Sequence, residues 1–566
     1  MQSTDKEHIA LLADLCVQNN LKHIVLSPGS RNAPLITAFE SHPEITTYLI
    51  HDERVAAFTA LGLADSLGEA VGITCTSGTA LLNYSPAIAE AYYRQIPLVV
   101  FSADRPGELI DQGDGQTMRQ NGVYANFIKK SFDFPNHDSK NIIEDSRKTL
   151  QSLIQNIKEY PQGPLHLNIP LAEPLYGMKE YSGFENFQLD EITDALLSDV
   201  DKEKVKSEWD SAEKKLVIVG QSKLDKALEQ QIVNLSEDPS VAILVENTSN
   251  IQHFPRLIHS IDRTLEAIGS DELDKFSPDL ILSIGGAIIS KRIKTFLRNA
   301  DTKISWRVGE FLLREDTYQS SPTHYSVTPR HFLSVLNEGD YLPLSNYGGA
   351  WKQKDLMANE VHNSFLPSAP YSDLKVFEIV LDSIPEAANL HMANSSVVRY
   401  CQLFNPVRST KYFANRGVSG IDGSTSAAAG FSIASPSDLN VLITGDTSFF
   451  YDSNAFWNQH LSDNLRVIVI RNGGGGIFEI IDGPKNSKYS ETFFAPFNAS
   501  VKGICEAFDV GYLSASSETE LTNSFQELFS INENGRPVLL EINTTDCSND
   551  LVLKAYFESI SELQNT

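Results

Sequence analysis

The chain has 566 residues, 41% of them apolar and 21% charged, and a net charge of −27. One hydrophobic core does not serve that length, and typical domain sizes divide it into about three or four parts. A field this negative repels nucleic-acid phosphates and anionic headgroups, so neither nucleic acid nor a membrane surface is an expected partner, and the acidic surface mainly confers solubility.

Residues 1–20 carry Asp5 and Glu7 without a long apolar stretch and read as an amphipathic helix, not a secretory leader. Strands are expected at His23–Ser27, Ile45–Ile50, Val71–Thr76, Leu98–Ser102 and Leu165–Ile169, with helical patterns at Val55–Leu67 and Ala80–Tyr93. From Pro174 to about Asp201 the chain turns polar and acidic, as a linker does. A second block offers strands at Leu216–Val219, Ala242–Glu246, Leu280–Ile284 and Lys303–Val308. Its most apolar run, Leu280–Ile289, is too short for a membrane span and reads as a buried strand and its turn. A polar stretch, Ser320–Pro343, leads to a third block with strands at Asn389–Ala393, Lys411–Ala414, Val441–Thr444, Leu465–Ile470 and Val538–Ile542.

This alternation defines an α/β fold class of three doubly wound parallel-sheet domains, at about residues 1–180, 200–330 and 350–566, with ligands expected beyond the carboxyl ends of the strands. The first and third blocks end alike, in Gly163-Pro164-Leu-His-Leu-Asn-Ile and Arg536-Pro537-Val-Leu-Leu-Glu-Ile, which an old duplication explains and two similar buried strands also produce by chance. Cys16, Cys75, Cys401, Cys505 and Cys547 form no C-x-x-C pair, so neither a disulfide framework nor a zinc site follows; a reducing compartment fits, and the cytoplasm is the default location.

The most informative segment runs from Val441 to Phe478. One strand stops at Gly445-Asp446-Thr447-Ser448, and the next ends in Arg471-Asn472 before four consecutive glycines. One strand–helix–strand crossover separates Asp446 from Asn472, which places both at the same edge of a parallel sheet. A carboxylate, an amide oxygen and a backbone carbonyl from the glycine run suit magnesium, which keeps positions open for phosphate oxygens. Glycines let backbone approach a diphosphate closely. Taken alone, Gly445-Asp446 reads as an ordinary turn with an acidic helix cap, and the spacing to Asn472 and the four glycines turn it toward a ligand site.

In this arrangement the chain resembles the thiamine-diphosphate enzyme family, whose diphosphate–metal motif is Gly-Asp followed one crossover later by Asn. Thr447 in place of a third glycine and Arg471 in place of a first Asn depart from the commonest form without removing an essential ligand. The resemblance implies thiamine diphosphate with magnesium, or manganese, held by Asp446, Asn472 and Gly474. It implies cofactor contacts from Asn394, Ser395, Ser419, Gly420, Gly445, Thr447 and Ser448, and an aliphatic prop at Ile421. It also implies a pyrimidine-binding first domain and a diphosphate-binding third domain.

Such enzymes need a carboxyl group against the aminopyrimidine ring, placed before a helix of the first domain. Glu53, in His51-Asp52-Glu53-Arg54, fits that place, although an acid there also complements the helix dipole. The two halves meet across a subunit boundary in the family, which implies a homodimer at least, and a homotetramer as a further step.

Within the family, Ser27–Pro34, His51–Arg54, Thr76–Thr79, Ala103–Pro106, Gln116–Gln120, Asn394–Arg399, Asn415–Gly423, Gly445–Ser448 and Gly474–Phe478 are most similar to the branch that joins 2-oxoglutarate, with loss of carbon dioxide, to isochorismate in menaquinone biosynthesis. Both substrates are dianions, and arginine forks suit carboxylates. The resemblance assigns Ser30, Arg31 and Arg105 to isochorismate, and Arg399 and Arg416 to carboxylates of the oxo acid or its adduct. It also assigns Lys291 and Arg292 to a basic pair, Gln116 to the reacting centre, and Ile477 and Phe478 to an apolar wall, for which burial in the core is the competing expectation. Gly115 stands where some relatives carry Asn. His51 and His391 are expected to be hydrogen-bonded structural histidines. The alternative within the class is another 2-oxo acid carboligase or decarboxylase, of the acetolactate synthase kind. A nucleotide- or flavin-binding protein is disfavoured by the lack of G-x-G-x-x-G after any strand.

Overall fold

The computed structural model describes residues 2–565 apart from 137, 186–188, 191, 194, 340–342, 408, 481 and 531–534. Parts of both expected linkers therefore lie outside the described residues.

A short strand β1 (Gln2–Thr4) precedes the first sheet, which is built from β2 (His23–Leu26), β3 (Thr46–Leu49), β4 (Val71–Cys75), β5 (Leu98–Asp104), β6 (Lys130–Asp133) and β7 (Leu165–Pro170) in the order β3-β2-β4-β5-β7-β6, all parallel. The chain then returns through β8 (Met178–Glu180), antiparallel to β1, within what reads as a linker. The middle sheet joins β9 (Lys215–Val219), β10 (Val241–Val245), β11 (Leu280–Ile284), β12 (Ile304–Val308) and β13 (Thr323–Tyr325) in the order β10-β9-β11-β12-β13. The third contains β14 (Asn389–Met392), β15 (Lys411–Phe413), β16 (Asn440–Gly445), β17 (Leu465–Arg471), β18 (Gly511–Ala515) and β19 (Val538–Asn543), ordered β15-β14-β16-β17-β19-β18.

The two outer sheets share one connectivity, and β7 and β19, the strands of similar sequence, hold the same place in each. Shared topology supports duplication more strongly than the short sequence match does. Strands such as β4 and β5 are buried along their whole length, as parallel strands covered on both faces must be.

Five strands escape the hydrophobic pattern: β1, β6, β8, β13 and β18. They are short or lie at sheet edges, where polar side chains are tolerated. The helix expected at Ala80–Tyr93 divides into Thr79–Asn83 and Ser85–Arg94, because Pro86 has no amide hydrogen to continue the ladder.

Helix Glu53–Leu67 is capped at its start by Asp52, whose carboxylate accepts the Val55 amide at 3.2 Å, and ends at Gly68 in the left-handed region (φ 71°). It packs against helix Ser424–Ala434 of the third domain backbone to backbone. A Cβ on Gly62 would lie 1.9 Å from the Ala427 carbonyl oxygen, and one on Gly430 2.0 Å from that of Thr59. Among the described residues no helix is long and apolar enough to cross a membrane.

Candidate active site

Parallel pairing of β16 with β17 sets Gly445 beside Ile470, so Asp446 and Asn472 emerge at one sheet edge. Asp446 opens helix Asp446–Tyr451; its Oδ1 accepts the Thr447 amide at 2.7 Å and its Oδ2 the Gly473 amide at 2.9 Å. The glycine loop is thereby folded onto the carboxylate. Burial pushes the Asp446 carboxyl up to about 6 despite these hydrogen bonds. Arg471, the cation that offsets this, is turned to Glu541 at 2.7 Å and does little.

The Asn472 amide donates to Asp373 at 3.1 Å, which orients its oxygen as the free end. The Gly474 carbonyl accepts the Gly476 amide at 3.0 Å. A buried carboxylate with no ion pair among the described residues, beside an amide oxygen, is a donor set that a hard cation satisfies. No cluster of three His, Cys, Asp or Glu exists among the described residues as a rival metal site. A Cβ on Gly445 would meet nothing within 4 Å, so there is open space beside the strand end.

The neighbouring loops converge on this edge. The Ser448 hydroxyl donates to the Ile421 carbonyl at 2.9 Å. Asn394 donates to the carbonyls of Asn415 and Gly420, both at 2.7 Å, and accepts from Arg416 at 2.7 Å, so its side chain holds the 415–420 loop together. Ser395 (φ 72°, ψ −126°), Ser419 (φ 66°) and Gln116 (φ 56°) all occupy left-handed backbone that non-glycine residues rarely adopt. Strain of this kind concentrates at ligand sites.

In the first domain, Glu53 lines a cavity of about 550 Å³ with Thr76–Ala80, Asn83 and Gln116–Met118. Its Oε2 stands 3.5 Å from the Asn83 amide. Its neighbours fasten the helix start to the third domain of the same chain: Asp52 accepts from Asn454 at 2.8 Å, and Arg54 pairs with buried Asp452 at 2.7 Å. Gln120, fully buried, accepts the Gly78 amide at 2.9 Å and donates to Ala103 and Asn168, which fixes the 76–80 loop against Gln116. Gly115 has open space where a Cβ would stand, so the position has room for a side chain.

Arg31 is buried; it donates to the Leu171 carbonyl at 2.8 Å and pairs with exposed Glu173 at 3.1 Å. Arg105 donates to the Gly115 carbonyl at 3.0 Å, and Ser30, which precedes Arg31, is exposed. Arg399 donates to the Ser395 carbonyl and Arg416 to Asn394. The buried Nε atoms of Arg31, Arg105 and Arg416 have no hydrogen-bond partner among the described residues.

In the middle domain, Lys291 is exposed, and Arg292 is held by Glu266 with its guanidinium 4.5 Å from the centre of the Phe557 ring. Lys294, one turn on, is the residue that shares the electrostatic surroundings of Arg399, Arg416 and the buried Glu246; burial lowers its pKa. No sequence signal marks Lys294, because a lysine on an amphipathic helix reads as solvated.

Two expectations are corrected. Ile477 and Phe478 are not buried core: Ile477 is half-buried and Phe478 is 36% exposed, with its ring 6.1 Å from that of Phe493. His51 is exposed and stacks on Trp457, ring centres 4.9 Å apart, whereas His391 is buried beside Asn440 as expected.

Residues 8–123 match the thiamine pyrophosphate enzyme N-terminal TPP-binding domain, and residues 394–542 the corresponding C-terminal TPP-binding domain. The benzoylformate decarboxylase of Polynucleobacter necessarius superposes with a TM-score of 0.72 at 16% identity, over 97% of this chain and all of that one, which shows the fold. Fold and family domains thus define the class, a thiamine-diphosphate enzyme.

Proteins named 2-succinyl-5-enolpyruvyl-6-hydroxy-3-cyclohexene-1-carboxylate synthase align almost end to end. The Christiangramia forsetii protein is 40% identical over 96% of this chain and 97% of its own length; that of Porphyromonas gingivalis is 39% identical over 99% and 98%. The chain belongs to this synthase family.

Proposed function

We propose that the protein decarboxylates 2-oxoglutarate and adds the resulting succinyl carbanion in conjugate fashion to isochorismate, in menaquinone biosynthesis. The products are 2-succinyl-5-enolpyruvyl-6-hydroxy-3-cyclohexene-1-carboxylate and carbon dioxide. Thiamine diphosphate, when bound, supplies the ring carbon that carries the electron pair released by decarboxylation. Asp446, Asn472 and the Gly474 carbonyl would hold magnesium or manganese against its diphosphate. Ser395, Ser419, Gly420, Thr447 and Ser448 would line its binding cleft, Ile421 would support it, and Glu53 would hold a proton at its pyrimidine. Because Glu53 opens a first-domain cavity and Asp446 a third-domain edge, the reading takes the two from different copies, in a homodimer or homotetramer.

The observation that carries the substrate assignment is the state of the arginines. Arg105, Arg399 and Arg416 donate to backbone or amide oxygens, not to carboxylates, and two of them keep an unpaired buried Nε. Among the described residues none of the three makes a direct ion pair, Arg399 and Arg416 feeling Asp262, Glu246 and Glu90 only at longer range, and sheltered guanidinium groups with open donor positions fit a pair of dianionic substrates. Ser30, Arg31, Arg105 and Gln116 would take isochorismate; Arg399 and Arg416, with Lys291 and Arg292 at the periphery, would take the oxo acid. Ile477 and Phe478 would supply the apolar wall, which their exposure permits.

The test is incubation with 2-oxoglutarate, isochorismate, thiamine diphosphate and magnesium, with mass analysis of the product. Formation of the conjugate adduct with release of carbon dioxide supports the reading. Preferential turnover of pyruvate to an acetolactate-type product sinks it.

A further inference from the structure

Helix Ser85–Arg94 of the first domain carries Glu90 into the boundary with the third domain, against the loop that joins β15 to helix Ser424–Ala434. The Glu90 side chain is almost wholly buried, yet two consecutive backbone amides donate to it: Gly417 to Oε1 at 2.8 Å and Val418 to Oε2 at 2.6 Å. The Ser419 amide also faces it. Arg94 Nε lies 4.0 Å from Oε1, a loose ion pair within the same helix. The loop comes close enough that a Cβ on Gly417 would sit 2.6 Å from the Glu90 carbonyl oxygen, so glycine is required there.

Successive amides converging on one anion form a nest, a backbone arrangement that relaxes when the anion is withdrawn. Just beyond it, Ser419 is held at φ 66°, a conformation that a serine keeps only when its surroundings impose it. On either side lie Arg416 and Ile421.

We infer that Glu90 is a positioning residue: its carboxylate, lent by the first domain, holds the 417–419 backbone so that Arg416 and Ile421 are preset for the cofactor and the oxo acid. The inference rests on the roles given to Arg416 and Ile421 above. In the two-copy arrangement, one first domain then serves two sites, with Glu53 reaching into one and Glu90 bracing the loop of the other.

Glu90→Gln is the diagnostic change, because an amide keeps the size but presents a donor to one of the two amide hydrogens. Glu90→Asp keeps both acceptors on a stem one methylene shorter. Calorimetric titration with thiamine diphosphate and magnesium is expected to show weaker binding to Glu90→Gln by about tenfold or more, the loss that misplacing site groups produces. The KM for 2-oxoglutarate is expected to rise in step while that for isochorismate stays at the wild-type value, and Glu90→Asp should recover part of both effects.

Wild-type cofactor affinity and KM values in Glu90→Gln, with or without a lower melting temperature, would overturn the inference. So would equal changes in both KM values. If Glu90→Gln does not fold, Glu90→Asp decides: the same split at smaller size supports the role, and a stability loss without it overturns the role. Should the wild-type protein bind thiamine diphosphate but leave 2-oxoglutarate untouched, the substrate assignment fails while the calorimetric comparison still decides the role of Glu90.

Discussion

The Asp446 carboxylate accepts the Gly473 amide at 2.9 Å, which makes the end of one strand and the glycine loop after the next a single unit. Asp446→Ala removes both the proposed metal ligand and the anchor of the loop that carries Gly474. Magnesium and thiamine diphosphate are expected to weaken together, by about a hundredfold or more, since even supporting groups around a metal are worth 10–100-fold. Calorimetric titration of each in the presence of the other measures this. An unchanged magnesium requirement would remove Asp446 from the site.

Glu53 has a different expected signature. It lines its own cavity, 3.5 Å from Asn83, and the capping bond at the helix start belongs to Asp52. Glu53→Gln therefore leaves the helix cap and the cavity shape intact while removing an ionisable proton carrier. Cofactor affinity should stay near wild type, with kcat lower by about 10²–10⁴-fold, the usual contribution of a positioned acid or base. Near-normal turnover would refute the role.

What could be read from residue order alone divides along physical lines. Asp446 and Asn472 were legible because each directly follows a β-branched run, so strand periodicity alone places them at one edge. The three sheets followed from the same periodicity. Glu90, Glu246 and Lys294 were not legible: Glu90 is met by amides of another domain, Glu246 by the Ile289 and Ser290 amides some forty residues on, and Lys294 by the charges of Arg399 and Arg416, so nothing local distinguishes them from helix-surface or strand-end charges. The left-handed backbone at Gln116, Ser395 and Ser419 was equally hidden: glycine or asparagine advertises such a conformation, and serine or glutamine does not. The exposure of Phe478 was missed because an aromatic residue in an apolar doublet looks like core.

The glycine contact between helices Glu53–Leu67 and Ser424–Ala434 gives a stability prediction. A methyl group at position 62 would fall 1.9 Å from the Ala427 carbonyl oxygen, and backbone cannot give way as a side chain can. Gly62→Ala should destabilise the protein by about 1–3 kcal/mol, the range for overpacking, even though alanine is the better helix former. Because the same helix begins at Glu53, activity should decline alongside the melting temperature. A melting temperature at or above wild type would show that the two helices are free to separate.

Histidine burial gives the pH dependence. His166 is the second residue of β7, fully buried, with Nε2 2.7 Å from the Ser102 hydroxyl and its ring against Tyr124; burial pushes its pKa down to about 4. The same cause brings His8 and His391 to about 4. The folded pKa lies below the unfolded value, so the unfolded chain takes up protons first as pH falls. The stability contributed by keeping His166 neutral is complete above about pH 6.5 and is lost as pH drops toward 4. Buried acids with raised values, Asp452 and Glu246 among them, act in the opposite direction over the same range, so the wild-type curve is a sum and a single-site comparison is needed. His166→Gln retains a polar group for Ser102 but cannot take up a proton. Its melting temperature should start below that of the wild type at neutral pH and approach it on acidification. Parallel curves from about pH 7 to pH 5 would mean that His166 titrates no differently in the folded and unfolded chains.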